Sequence, residues 1–189
     1  MSGDIHAVAE LEHLTELILA HTDISGDIWS VSGLRNLKLL VLSGTNVYGN
    51  IASVAGLQYL TDLILFHTKI SGNIKNVTDL TNLRSLTLQE TGISGNISSI
   101  QRLSHLENIY LHHTLIQAPR DCPRDKDGYL SFMDKEACTI LIDWLKINAV
   151  KAKAVEDYRL KTEVEVADAM EKAMSNIKKE ARLKAEAVV

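Results

Sequence analysis

The stretch LTELILAHTDISGDIWSVSGLRNLKLLVLSGT, residues 14–45, decides the fold, because its pattern returns every 23 residues. Its apolar and small positions are Leu14, Leu17, Leu19, Thr22, Ile24, Gly26, Ile28, Val31 and Leu34. The next copy supplies Leu37, Leu40, Leu42, Thr45, Val47, Gly49, Ile51, Val54 and Leu57. Two further copies begin at Leu60 and Leu83, and a fifth runs from Leu106 to Ile116 and stops. Nine positions agreeing over four copies at a period of about 20–29 residues are the signature of a stacked-coil solenoid.

Within each copy the alternation around Leu17/Leu19, Leu40/Leu42, Leu63/Leu65, Leu86/Leu88 and Ile109/Leu111 has the period of two of a strand with one buried face. It predicts strands over 16–20, 39–43, 62–66, 85–89 and 108–112, parallel and side by side because each follows its predecessor by one full coil. The other apolar positions, such as Ile24, Ile28, Val31 and Leu34, close the coil round a shared core that one coil alone cannot bury. A column of threonines, Thr22, Thr45, Thr68, Thr91 and Thr114, stands where the chain leaves the strand, placed to satisfy backbone groups without ladder partners. Gly26, Gly49, Gly72 and Gly95 read as a backbone requirement; no phosphate-loop spacing occurs among them.

The pattern LxxLxxLxLxxTxISGNI resembles the leucine-rich repeat, and its SGNI or SGDI half is similar to the plant-type subclass. The match covers residues 1 to about 116. It implies an α/β solenoid with a parallel sheet on its concave face and a function in binding, without naming the partner. Two departures stand out: Thr replaces the usual Asn of the ladder, and no proline follows Gly-x-Ile. Such Thr variants resemble repeats of algae and other protists more than the ectodomains of plant receptor kinases. The paired-cysteine cap of secreted members is missing at the N-terminus.

Three segments follow. Residues 1–116 form the solenoid, with a half-repeat at 1–13. Met1-Ser2-Gly3-Asp4-Ile5 aligns with Ile24-Ser25-Gly26-Asp27-Ile28, so the chain starts halfway round a coil; either upstream coils precede it or a partner covers this end. Residues 117–148 hold a loop with both prolines and then a helix near 132–147, whose Ala137, Ile140, Leu141, Trp144 and Leu145 share a face suited to closing the solenoid. Residues 149–189 are rich in Ala, Lys and Glu and read as a charged helical tail. Its stripe of Leu160, Val164, Met170, Met174 and Ile177, spaced by threes, fours and their sums, is either a contact for a partner or one face of a solvated helix held by pairs such as Glu180 to Lys184.

The net charge of -4, with 6 Lys+Arg against 10 Asp+Glu in residues 1–116 and 9 against 8 in the last 41, argues against nucleic acid as a partner. No apolar run approaches the roughly 18 residues of a membrane span. The first residues lack the regions of a signal peptide, which says nothing of compartment if residues precede them.

Chemistry has few footholds. His21, His67 and His113 share one column with Gly44 and Glu90, and His67, Glu90 and His113 are the only trio with a geometric chance at zinc; surface histidines flanking a glutamate explain them better. Asp125 to Asp134 match part of a calcium loop, but Pro123 stands at its first position and Asp134 replaces the closing Glu, so an acidic turn before a helix suffices. Cys122 and Cys138 pair only in an oxidising compartment, and Asn76 and Asn96 head glycosylation sequons only if the chain is secreted. No nucleophile carries a local signature, so no catalysis, metal or cofactor is expected.

What remains is the outward face of the strands. Its middle column is Ile18, Val41, Ile64, Thr87 and Tyr110. With Leu39 and Phe66 the first three strands carry an apolar patch where a solvated sheet would be polar. Ile18, Leu39, Val41, Ile64, Phe66 and Tyr110 are therefore the expected partner-binding residues, unless the chain's own tail covers them. The expected function is a protein-protein interaction module; the alternative is a structural subunit held permanently in a multi-protein assembly.

Overall fold

The computed structural model describes residues 2–119, 122, 142–157 and 159–161. They divide into two compact units, 1–149 and 150–189. In the first, every coil contributes one strand to each of two parallel sheets. The six-stranded sheet contains β1 (Ser2–Asp4), β3 (Asp23–Asp27), β5 (Asn46–Asn50), β7 (Lys69–Asn73), β9 (Gly92–Asn96) and β11 (Leu115–Gln117), in that order. The five-stranded sheet contains β2 (Glu16–Ile18), β4 (Leu39–Val41), β6 (Asp62–Ile64), β8 (Ser85–Thr87) and β10 (Asn108–Tyr110).

The five-stranded sheet is the one the Leu-x-Leu alternation predicts, but its strands are three residues long and end two residues before the expected limits. The hydrogen-bonded ladder nevertheless runs on. Leu19 N–H donates to Val41 O at 2.9 Å and His21 N–H to Ser43 O at 2.8 Å, with equivalent bonds in the following coils. Extended geometry gives way because the residue before each ladder threonine turns to positive φ: His21 (55°), Gly44 (65°), His67 (52°), Glu90 (55°) and His113 (53°). Beneath the sheet Leu17, Leu40, Leu63, Leu86 and Ile109 are buried.

The second sheet was not expected, and it explains the Ser-Gly-Asx-Ile motif. The Asx side chain ends the strand by accepting the N–H two residues on, as in Asn50 Oδ1 from Ala52 N–H at 2.9 Å, and so starts a short 3-10 turn such as Ile51–Val54. The glycine of the next coil lies against that Asx group. A Cβ on Gly72, whose φ is 115°, would stand 2.5 Å from Asn50 Oδ1, so both space and conformation exclude a side chain there. Strand partners in this sheet are 21 residues apart, as Ser25 with Asn46, against 23 in the other, as Glu16 with Leu39. The stagger of two is even and keeps every inward residue inward.

The threonine column works within each coil. Thr22, Thr45, Thr68, Thr91 and Thr114 each donate to the carbonyl three residues back, from Leu19 to Leu111, at 2.6 Å. A hydroxyl one bond from Cβ reaches its own turn, which is why threonine serves here. Side-chain bonds between coils come from other positions, among them a column in which Asn36 and Asn82 donate to Glu12 O and Gln58 O at 2.9 and 2.8 Å.

The last coil is covered. Residues 142–149 are helical, Ile142 and Leu145 are buried in the shared core together with Cys122, and Trp144 packs against it half-buried. Ala137, Ile140, Leu141 and Cys138 lie outside the described residues, as does the whole acidic loop of 123–134. At the other end Leu11 is 49% exposed, whereas its equivalents Leu34, Leu57 and Leu80 are fully buried. In the second unit residues 150–157 and 159–161 are helical. Among the described residues no helix is long and apolar enough to cross a membrane.

Candidate partner-binding face

The parallel register brings the expected residues together on the outward face of the five-stranded sheet. Ile18, Val41, Ile64, Thr87 and Tyr110 are direct neighbours in one column. Leu39 lies between Glu16 and Asp62 in the column two residues earlier, and Phe66 follows Ile64 by two. Ile18 is 59% exposed; Leu39, Val41, Ile64, Phe66 and Tyr110 are half-buried, and Thr87 is buried. The aliphatic side chains of this face thus lie on β2, β4 and β6, with Phe66 just beyond β6 and Tyr110 on β10.

Beyond the strands the positive-φ column forms a rim. Left-handed backbone costs a residue with a Cβ about 1–2 kcal/mol, although histidine tolerates it better than most. Rings and charges meet along it. Phe66 makes edge contacts with His21 and His67 at centroid distances of 6.2 and 5.5 Å. His67 Nδ1 lies 2.7 Å from Glu90 Oε2, both side chains being well exposed. His112 and His113 meet edge to face at 5.5 Å.

Two side chains that sequence reasoning left out of the expected site have a distinctive state. Gln89 Oε1 and His112 Nδ1 are buried, and neither finds a hydrogen-bond partner among the described residues. Burial first, and then the neighbouring His113, pushes the His112 imidazole below its ordinary range; His67 acts in the same direction and Glu90 against it. The sequence carried no sign of this, since burial of one polar atom depends on its neighbours. The conformation of the rim, by contrast, was signalled by Gly44, a lone glycine in a column otherwise filled by His and Glu.

Among the described residues no three His, Cys, Asp or Glu side chains converge as a metal site requires, so His67, Glu90 and His113 carry no zinc argument. Of the tail stripe, Leu160 is 50% exposed, and Val164, Met170, Met174 and Ile177 lie outside the described residues.

No family model matches the sequence, and no curated protein does. Solved structures do. The chain is similar to the plant peptide hormone receptor RGFR1 in complex with RGF2, at 27% identity and a TM-score of 0.54 over 62% of this chain and 19% of that one. An internalin C2 from Listeria monocytogenes matches at 28% identity and a TM-score of 0.52, over 59% of this chain and 48% of the internalin. The leucine-rich-repeat ectodomain of the receptor kinase SOBIR1 from Arabidopsis thaliana gives a TM-score of 0.58 over 62% of this chain and 67% of that one; at 24% identity it speaks for fold alone. The chain spans less than half the length of RGFR1 and of the internalin.

Proposed function

Because the chain is a leucine-rich-repeat protein, we propose that it is a non-catalytic module that holds a protein partner on the outward, concave face of its five-stranded sheet. The single observation that carries this is the apolar surface of the first three strands. Ile18, Leu39, Val41, Ile64 and Phe66 keep accessible apolar area on a face that water alone would leave polar. That RGFR1 is similar in structure and holds a peptide hormone lends support. The tail stripe of Leu160, Val164, Met170, Met174 and Ile177 is proposed as a second contact.

The repeat supplies its own control substitutions. Ile64→Thr with Phe66→Gln gives the third coil the outward residues that the fourth carries as Thr87 and Gln89. Tyr48→Ser gives the second coil the serine that Ser25, Ser71 and Ser94 provide on the other sheet. A native partner retained by the wild-type chain is expected to be lost by the first variant and kept by the second. The reverse pattern would place binding on the wrong sheet and refute the proposal.

The alternative is a structural subunit held permanently in a multi-protein assembly. A chain that sediments as a monomer at micromolar concentration in extracts contradicts it.

A further inference from the structure

We propose that Gln89, Glu90 and His112 form the polar anchor of this face and receive a basic side chain, arginine or lysine, of an otherwise apolar segment of the partner. The inference rests on the binding face argued above and says what chemistry it selects. Three acceptors stand at neighbouring positions of the last two coils. Gln89 Oε1 and His112 Nδ1 are buried without partners among the described residues, and Glu90 engages His67 through Oε2, keeping Oε1 for another donor. Both atoms are covered in the free chain, so a partner's donor meets them only when the partly exposed Gln89 and His112 side chains turn outward, which also ends the cost of burying an acceptor without a donor.

The imidazole of His112 suits this role. Its burial disfavours the protonated form, and a neutral ring with its proton on Nε2 offers Nδ1 as an acceptor. Glu90 adds negative charge on the exposed rim. Arginine and lysine bring several donors and no acceptor.

Charge over the whole face points the same way. The three outward columns of the five-stranded sheet and its rim contain Glu16, Asp62 and Glu90 and no lysine or arginine. Lys38 and Arg84 stand one residue before the strands, Arg84 within 3.5 Å of Glu107, and Lys69 follows the rim on the other sheet. An acidic or neutral polar segment would leave the orphaned acceptors unpaired. The face as a whole therefore favours a basic over an acidic segment, and in its last two coils Glu90 is the one acidic residue that a cation would meet.

The test is selection of a random 12-residue peptide library on the full chain, followed by titration of the selected peptides. Binders sensitive to Ile64→Thr/Phe66→Gln are expected to share an arginine or lysine. Glu90→Gln and Gln89→Leu should each weaken them about tenfold. The same peptides with that basic residue replaced by leucine should bind more weakly to the wild type and lose nothing further on Glu90→Gln. Gln89→Leu has a second signature, because it removes an unpaired buried oxygen: its thermal midpoint should rise while binding falls. Sensitive binders that lack a basic residue, or whose basic residue is not coupled to Glu90, overturn the inference and leave the face intact. A selection that yields no binder sensitive to Ile64→Thr/Phe66→Gln overturns the binding face beneath it.

Discussion

The outward residues of β2, β4 and β6 in the middle column are Ile18, Val41 and Ile64, whereas β8 and β10 present Thr87 and Tyr110 at the same positions. Underneath, Leu17, Leu40, Leu63, Leu86 and Ile109 are alike and buried. The next column repeats the contrast, with Phe66 against Gln89 and His112. One core therefore supports two different surfaces. The fold needs the inner residues, and polar or aromatic residues on the last two coils show that it does not need apolar ones outside. The proposed roles, contact by the apolar half and orientation by the polar half, therefore do not compete with folding.

The strongest way to break this contrast is to ask whether the two halves differ inside as well. Leu63→Ala and Leu86→Ala, beneath the apolar and the polar half, are both expected to cost about 2–5 kcal/mol in urea denaturation, since each removes a fully buried side chain. A cost for one near zero would mean that the halves do not share a core.

A smaller effect, of opposite sign in the two halves, sits on the rim. Gly44 and Glu90 share a left-handed backbone with φ of 65° and 55°. Gly44→Ala forces a Cβ into that conformation, 2.6 Å from His21 Nδ1, and should cost about 1–2 kcal/mol. Glu90→Gly relieves the same constraint and should gain up to about 1 kcal/mol, less the exposed pair with His67. Losses in both would show that the rim is held by side-chain contacts rather than limited by backbone conformation.

The smallest effect is pH-dependent and belongs to the polar half. Burial and His113 keep His112 less basic in the folded chain than an ordinary histidine near 6.5. As pH falls through that value the unfolded chain takes up the proton first, so the stability that His112 contributes in neutral form is lost on acidification. The drop in thermal midpoint between about pH 7.5 and 5.5 should be smaller in His112→Gln than in the wild type. Equal drops would mean that His112 titrates alike in both states.

How much of this is legible without coordinates follows the physics of each residue. The leucine columns are legible because their spacing records which residues must be inside. The six-stranded sheet is not: its strands are written in Ser, Gly and Asx, residues poor in strand propensity, and its order comes from the fit of Asn50 against Gly72 and of its counterparts. The face residues Ile18, Leu39, Val41, Ile64, Phe66 and Tyr110 could be placed from register alone. Gln89 and His112 could not be distinguished from ordinary surface polar groups, since what sets them apart is the burial of single atoms.

The central claim is that the outward face of the five-stranded sheet is the binding surface. Hydrogen exchange of the chain with and without its native partner addresses it most directly, because it reports protection strand by strand. Slowed exchange over Glu16–Ile18, Leu39–Val41 and Asp62–Ile64, extending to Phe66 and Gln89, is the predicted result. Protection confined to the six-stranded sheet, over Asn46–Asn50 and Lys69–Asn73, would contradict it.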